Sequence, residues 1–237
     1  VGSKMSFFSD AMGHSAFTGI AIGALCGLAQ PVWCAVALSV LFALLYTFVL
    51  RRSHISSDTI IGVFSSIAIA LGIFIATTGG RSFTKYNVYL IGDILSVDTG
   101  EIKLLLIVLV AVVIMWLTTI NRLMISAAHP SLAKSRGIGV FKQEATFTVA
   151  VAVVVTLSMT WVGLLVINSL LVLPGAAARN ISRNMRQYHL ISVLGGLICG
   201  IAGLLTSFYI GASSGAAISL YLGVWFIITF IIGLKKN

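Results

Sequence analysis

Apolar runs long enough to cross a lipid bilayer recur from one end of this 237-residue chain to the other, with short polar breaks between them. A hydrocarbon core of about 30 Å needs roughly 20 helical residues, and segments near that length lie at about 7–29, 32–50, 57–78, 102–120, 144–161, 163–178, 188–210 and 214–234. Inside a bilayer only helices and closed barrels satisfy every backbone N–H and C=O. Barrel strands alternate apolar and polar residues, whereas the run from Ile102 to Ile120 is apolar on all sides. The expected fold is therefore all-α, a polytopic transmembrane helical bundle of about eight spans forming one domain over residues 1–237. With 59% hydrophobic and only 9% charged residues, the chain could not clothe itself in a polar surface, and membrane lipid is its solvent.

Basic residues in short loops set orientation, because they stay on the cytoplasmic side. With the start of the chain inside, the inner set is Lys4, Arg51, Arg52, Arg122, Lys134, Arg136, Lys142, Arg179, Arg183, Arg186, Lys235 and Lys236, against Arg81, Lys85 and Lys103 outside. The net charge of +9 is thus a topology signal with attraction to anionic lipid. Residues scattered over separate loops make no nucleic-acid surface.

Cys26, Cys34 and Cys199 sit in or beside apolar runs without the close spacing of a zinc site or disulfide scaffold, and read as packing residues. No cleavable signal peptide is visible at the start. Gly19, Gly23 and Gly27, and again Gly196 and Gly200, are spaced by four, as close helix packing requires. Pro174 removes a backbone hydrogen bond inside its apolar run and is expected to break or kink that helix. Between the third and fourth spans, Val88 to Val97 is too short to cross and reads as an interfacial helix.

Only six acids occur: Asp10, Asp58, Asp93, Asp98, Glu101 and Glu144. Asp10 stands out because His14 follows it by one helical turn on the same face. An ionisable residue within a span costs about 2.5 kcal/mol or more on insertion scales, so it faces a partner or a watery route. Carboxylate and imidazole are both ligands for zinc and manganese. The small residues around the pair, Ala11, Gly13, Ser15 and Ala16, leave room for an ion or for a second helix. On spacing alone an interfacial salt bridge with a packing histidine fits equally well. His54, His129 and His189 read as interfacial residues. No Gly-Lys pair occurs anywhere, so the chain has no phosphate-cradling loop; nor is there a nucleophile-elbow pattern.

The longest polar connection, Asn121 to Gln143, contains Ser126-Ala127-Ala128-His129-Pro130, which reads as a helix start with Pro130 in the first turn. Ser131-Leu132-Ala133-Lys134-Ser135-Arg136-Gly137 then sets Ala133 and Gly137 four apart. A short cytoplasmic helix presenting small residues suits docking into a partner; a solvated loop is the other reading.

Four motifs in order resemble the permease family of ABC-type zinc, manganese and iron importers. These are Met5-Ser6-Phe7 through Asp10 and His14, Asp58-Thr59-Ile60-Ile61-Gly62, Leu90-Ile91-Gly92-Asp93, and Gly163-Leu164-Leu165 through Leu173-Pro174-Gly175-Ala176-Ala177-Ala178. Together they extend over essentially the whole chain. The resemblance implies a permease in the bacterial cell membrane, paired as a homodimer or pseudo-dimer. It also implies cytoplasmic ABC ATPase subunits and an extracellular metal-binding protein that delivers the ion. Zinc or manganese would be transported, with no permanently bound cofactor and no chemistry by the permease itself. Asp10 and His14 fall on positions associated with the metal pathway. Pro130, Leu132, Ala133 and Gly137 fall on the helix that couples to the ATPase, although Ser131 stands where an acid commonly precedes the coupling alanine. Family members also carry a further span before the Met-Ser-aromatic motif, so a missing first helix is expected. The rival reading is an intramembrane metal-dependent enzyme using Asp10 and His14, for which no third ligand or nucleophile can be nominated.

Overall fold

The computed structural model describes residues 7–28, 30–53, 55–78, 98–128 and 130–234. Among them are nine helices and no strand: α1 (Phe8–Leu25), α2 (Val32–Arg52), α3 (Ser57–Thr77), α4 (Thr99–Ala128), α5 (Pro130–Ser135), α6 (Val140–Val162), α7 (Leu164–Ile181), α8 (Met185–Ile210) and α9 (Ser214–Leu234). Seven of these, all but α1 and α5, are long and apolar enough to cross a membrane. The expected first span is α1, which at 18 residues reaches roughly 27 Å but is diluted by Asp10, His14 and hydroxyl residues. The interfacial helix expected at Val88 to Val97 lies outside the described residues.

The fourth helix is longer than the expected 102–120. Nothing between Ile120 and Ala128 interrupts a helix, whereas Pro130 disfavours helical geometry in the residue before it. Part of the polar connection after Ile120 is therefore a continuation of α4.

The described residues divide into two compact units, one within residues 7–160 and the other within residues 161–234. In the first, α1 packs against both α2 and α3. Small residues allow this close approach. A Cβ added at Gly19 would lie 2.4 Å from the Cα of Ala35, and one at Gly23 would lie 2.9 Å from the Cα of Pro31. The buried residues of α2 include Ala35, Ser39, Ala43 and Thr47, one per turn, and those of α3 include Ala68, Gly72 and Ala76 in the same rhythm. Hydroxyls bridge the seams: Ser15 Oγ is 3.1 Å from Ser39 Oγ, and Thr18 Oγ1 donates to the Ala68 carbonyl. Buried hydroxyls paired in this way satisfy groups that lipid cannot.

In the second unit α7, α8 and α9 pack on one another around Val166, Cys199, Ile218 and Leu222, with Val162, Leu173, Leu204 and Trp225 at the margin. The seam of α8 is Gly195, Cys199, Gly203 and Ser207. It does not run through Gly196 and Gly200, as the four-residue spacing suggested. A Cβ at Gly203 would meet the Cα of Ile218 at 2.6 Å, while one at Gly200 would meet nothing within 4 Å. The seam keeps the four-residue period and lies one residue away from the expected face. A Cβ at Gly196 would lie 3.6 Å from the Pro174 ring. That is an ordinary contact distance, and α7 runs through Pro174 as one helix.

Candidate functional site

The site begins with the composition of α1. Thirteen of its 18 residues are buried, including Ser9, Ser15 and Thr18. A helix this rich in glycine, alanine and serine offers little side-chain bulk, so α2 and α3 can close around it. Phe8 opens the helix with its ring centroid 4.9 Å from that of Tyr46 on α2, and Tyr46 Oη is hydrogen-bonded at 2.7 Å to Ser57 Oγ at the start of α3. These contacts hold the first turn of α1 against its neighbours.

Asp10 lies in that first turn, where the positive end of the helix dipole favours a carboxylate. His14 is one turn further, with Nε2 at 3.4 Å from Asp10 Oδ2. The side chains are 21% exposed for His14 and 42% for Asp10, so both reach an accessible surface from a mostly enclosed helix. The adjacent Ser9 is buried, and its hydroxyl has no hydrogen-bond partner among the described residues. One carboxylate and one imidazole on a single face could hold a divalent ion only in part. Among the described residues no group of three or more His, Cys, Asp and Glu side chains converges, so water, another helix or a second copy of the chain would have to complete a shell.

Among the described residues no further histidine joins the pair. His189 is exposed near the start of α8, its ring edge-on to Tyr188; His54 and His129 lie outside the described residues, as does Asp93 in its Gly-Asp motif. Asp58 sits exposed in the first turn of α3, behind an N-cap in which Ser56 Oγ accepts from the Thr59 N–H.

The segment expected on the cytoplasmic side is helical, with Pro130 the first residue of α5. Of its two small residues, Ala133 faces inward and Gly137 is exposed. Ala133 is fully buried and Leu132 is 42% exposed, so the alanine lets α5 lie close to its own protein, and Leu132 offers the accessible apolar surface. Gly137 has φ +70°, a conformation natural to glycine, and the Ile138 N–H returns to the Ala133 carbonyl at 2.9 Å. Its role is to turn the chain into α6.

One ion pair joins positions that no motif links. Arg51 at the end of α2 donates through Nε and Nη2 to Glu144 Oε2 on α6, at 3.1 and 3.0 Å. The residues are 93 positions apart, and the only sequence signal is that Glu144 is the one acid after Glu101.

Residues 1–233 match the family model described as the ABC 3 transport family. The high-affinity zinc uptake system membrane protein ZnuB of Haemophilus influenzae is 26% identical over 232 residues, covering 95% of this chain and 86% of that protein. The manganese import system permease protein ScaB of Streptococcus parasanguinis is 28% identical over 233 residues, covering 98% and 82%. Among solved structures, PsaBC from Streptococcus pneumoniae in complex with Fab matches with a TM-score of 0.81 and 27% identity, covering 95% of this chain and 81% of that one.

Proposed function

We propose that this chain, which belongs to the ABC 3 transport family, is the membrane permease of a zinc or manganese importer and that its ion route follows the accessible face of α1. The observation that carries this reading is the pairing of opposites on one helix. α1 is too polar to qualify as an ordinary span, yet most of it is enclosed, and its carboxylate and imidazole remain reachable. A divalent ion leaving water loses much of its hydration energy, and fixed oxygen and nitrogen ligands replace part of it. A two-ligand site completed by water binds weakly enough to release its ion, as conduction requires. The relatives are named for uptake and import, which removes the ground for reading the same pair as an intramembrane enzyme.

Transport uphill needs an energy source, and the sequence has no phosphate-cradling loop. The proposed source is a cytoplasmic ABC ATPase that docks on α5, with Leu132 as an apolar anchor and Gly137 holding the turn that presents it. An extracellular metal-binding protein would deliver the ion, and a second copy of the chain would complete the core. Two measurements test this reading together. Cells lacking the chain should accumulate less zinc or manganese than cells carrying it. Leu132→Asp should insert normally but lose the co-purifying ATPase. Unchanged metal content would sink the transport assignment, and unchanged co-purification would move the docking site off α5.

A further inference from the structure

The ion pair between α2 and α6 stands where a displacement of α5 would enter the bundle. Gly137 closes α5, and α6 begins at Val140. Ala133 and Val140 are both buried and flank the hydrogen bond from Ile138 to Ala133. On the second turn of α6, Glu144 receives both donors from Arg51, and the Phe141 ring centroid lies 5.8 Å from the guanidinium carbon. One turn deeper, the buried hydroxyls of Thr148 and Thr47 are 3.0 Å apart. Thr47 and Arg51 are one turn apart on α2, so the two helices are joined by two successive polar contacts. Beside Thr47, Tyr46 packs on Phe8, two residues before Asp10.

Stability does not account for this arrangement. A carboxylate in an apolar helix is costly to insert, and a pair as exposed as this one, at 32% and 40%, returns little net stability. Spatial continuity alone does not establish coupling either; a two-state element must be biased from both ends. Resting on the reading of α5 as the ATPase contact, we infer that the Arg51–Glu144 clasp, backed by Thr47 and Thr148, is the positioning element through which α5 moves α2 and hence the Asp10–His14 turn of α1.

Uptake and ATP hydrolysis should be measured in parallel on the permease co-expressed with its ATPase. Glu144→Gln and Arg51→Gln should each lower metal taken up per ATP hydrolysed by about tenfold, with ATPase co-purification unchanged. The exchanged pair, Arg51→Glu with Glu144→Arg, should recover most of that ratio, which a general loss of folding would not. Wild-type ratios in both single variants, or an exchange no better than the singles in a stably inserted protein, would overturn the inference. Should a charge variant fail to insert, Thr148→Val supplies the test: a lowered ratio supports the clasp and a wild-type ratio refutes it. The outcome is separable from the docking reading, because Leu132→Asp reports loss of ATPase binding and the clasp variants report loss of coupling with binding intact.

Discussion

Helices α1 and α4 have opposite compositions and opposite placements. α4 is the most apolar of the membrane-length helices, and no residue from 99 to 125 is buried. α1 is too polar to count among them and has thirteen of 18 residues buried. In water the apolar helix would be enclosed and the polar one exposed. Lipid reverses this, because hydrocarbon chains solvate leucine as well as a protein interior does, and helices associate through packing and hydrogen bonds instead. Burial in such a bundle therefore marks polarity and close packing, and a carboxylate kept on the enclosed helix is a functional signal.

The enclosed packing of α1 is most vulnerable at Gly19. Any side chain there meets the Ala35 backbone, which cannot turn aside as a rotamer could. Gly19→Leu should exceed the usual overpacking cost of about 1–3 kcal/mol and abolish stable assembly, seen as loss of a folded species in detergent. Equal substitutions on the two helices sharpen the contrast. Ile20 is 1% exposed and Ile107 is 64% exposed. Ile20→Ala should cost about 2–5 kcal/mol through the cavity it leaves, and Ile107→Ala less than about 0.5 kcal/mol, both read from denaturant titration in mixed micelles. Equal costs would mean that α4 is covered in the folded protein and that its exposure does not represent lipid contact.

Much of this was legible in the residues. Run length gave the spans, and the polar turn containing Asp10 and His14 was visible as an exception within its run. Phase and orientation were less legible. A four-residue spacing names a helix face without saying which of two adjacent faces meets a neighbour, so the spacing points to Gly196 and Gly200 where Gly195 and Gly203 make the close approach. Ala133 suggested a docking surface because small residues serve equally against a partner or against the protein itself, and in the fold Ala133 is buried while Leu132 and Gly137 are exposed. Pro174 suggested a break or kink because its lost backbone hydrogen bond is legible in the sequence, whereas the packing that lets α7 continue through it as one helix is not. The Arg51–Glu144 pair was hidden for the same reason.

The central claim is that the enclosed polar helix carries the ion, and uptake of zinc and manganese by Asp10→Asn, His14→Ala and the double variant, each normalised to inserted protein with bound ATPase, tests it most directly. The account predicts that each single variant loses metal uptake while insertion and ATPase binding persist, and that the double variant is little worse, because residues forming one site are not additive. Wild-type uptake by a stably inserted His14→Ala protein would contradict it and return the pair to helix packing.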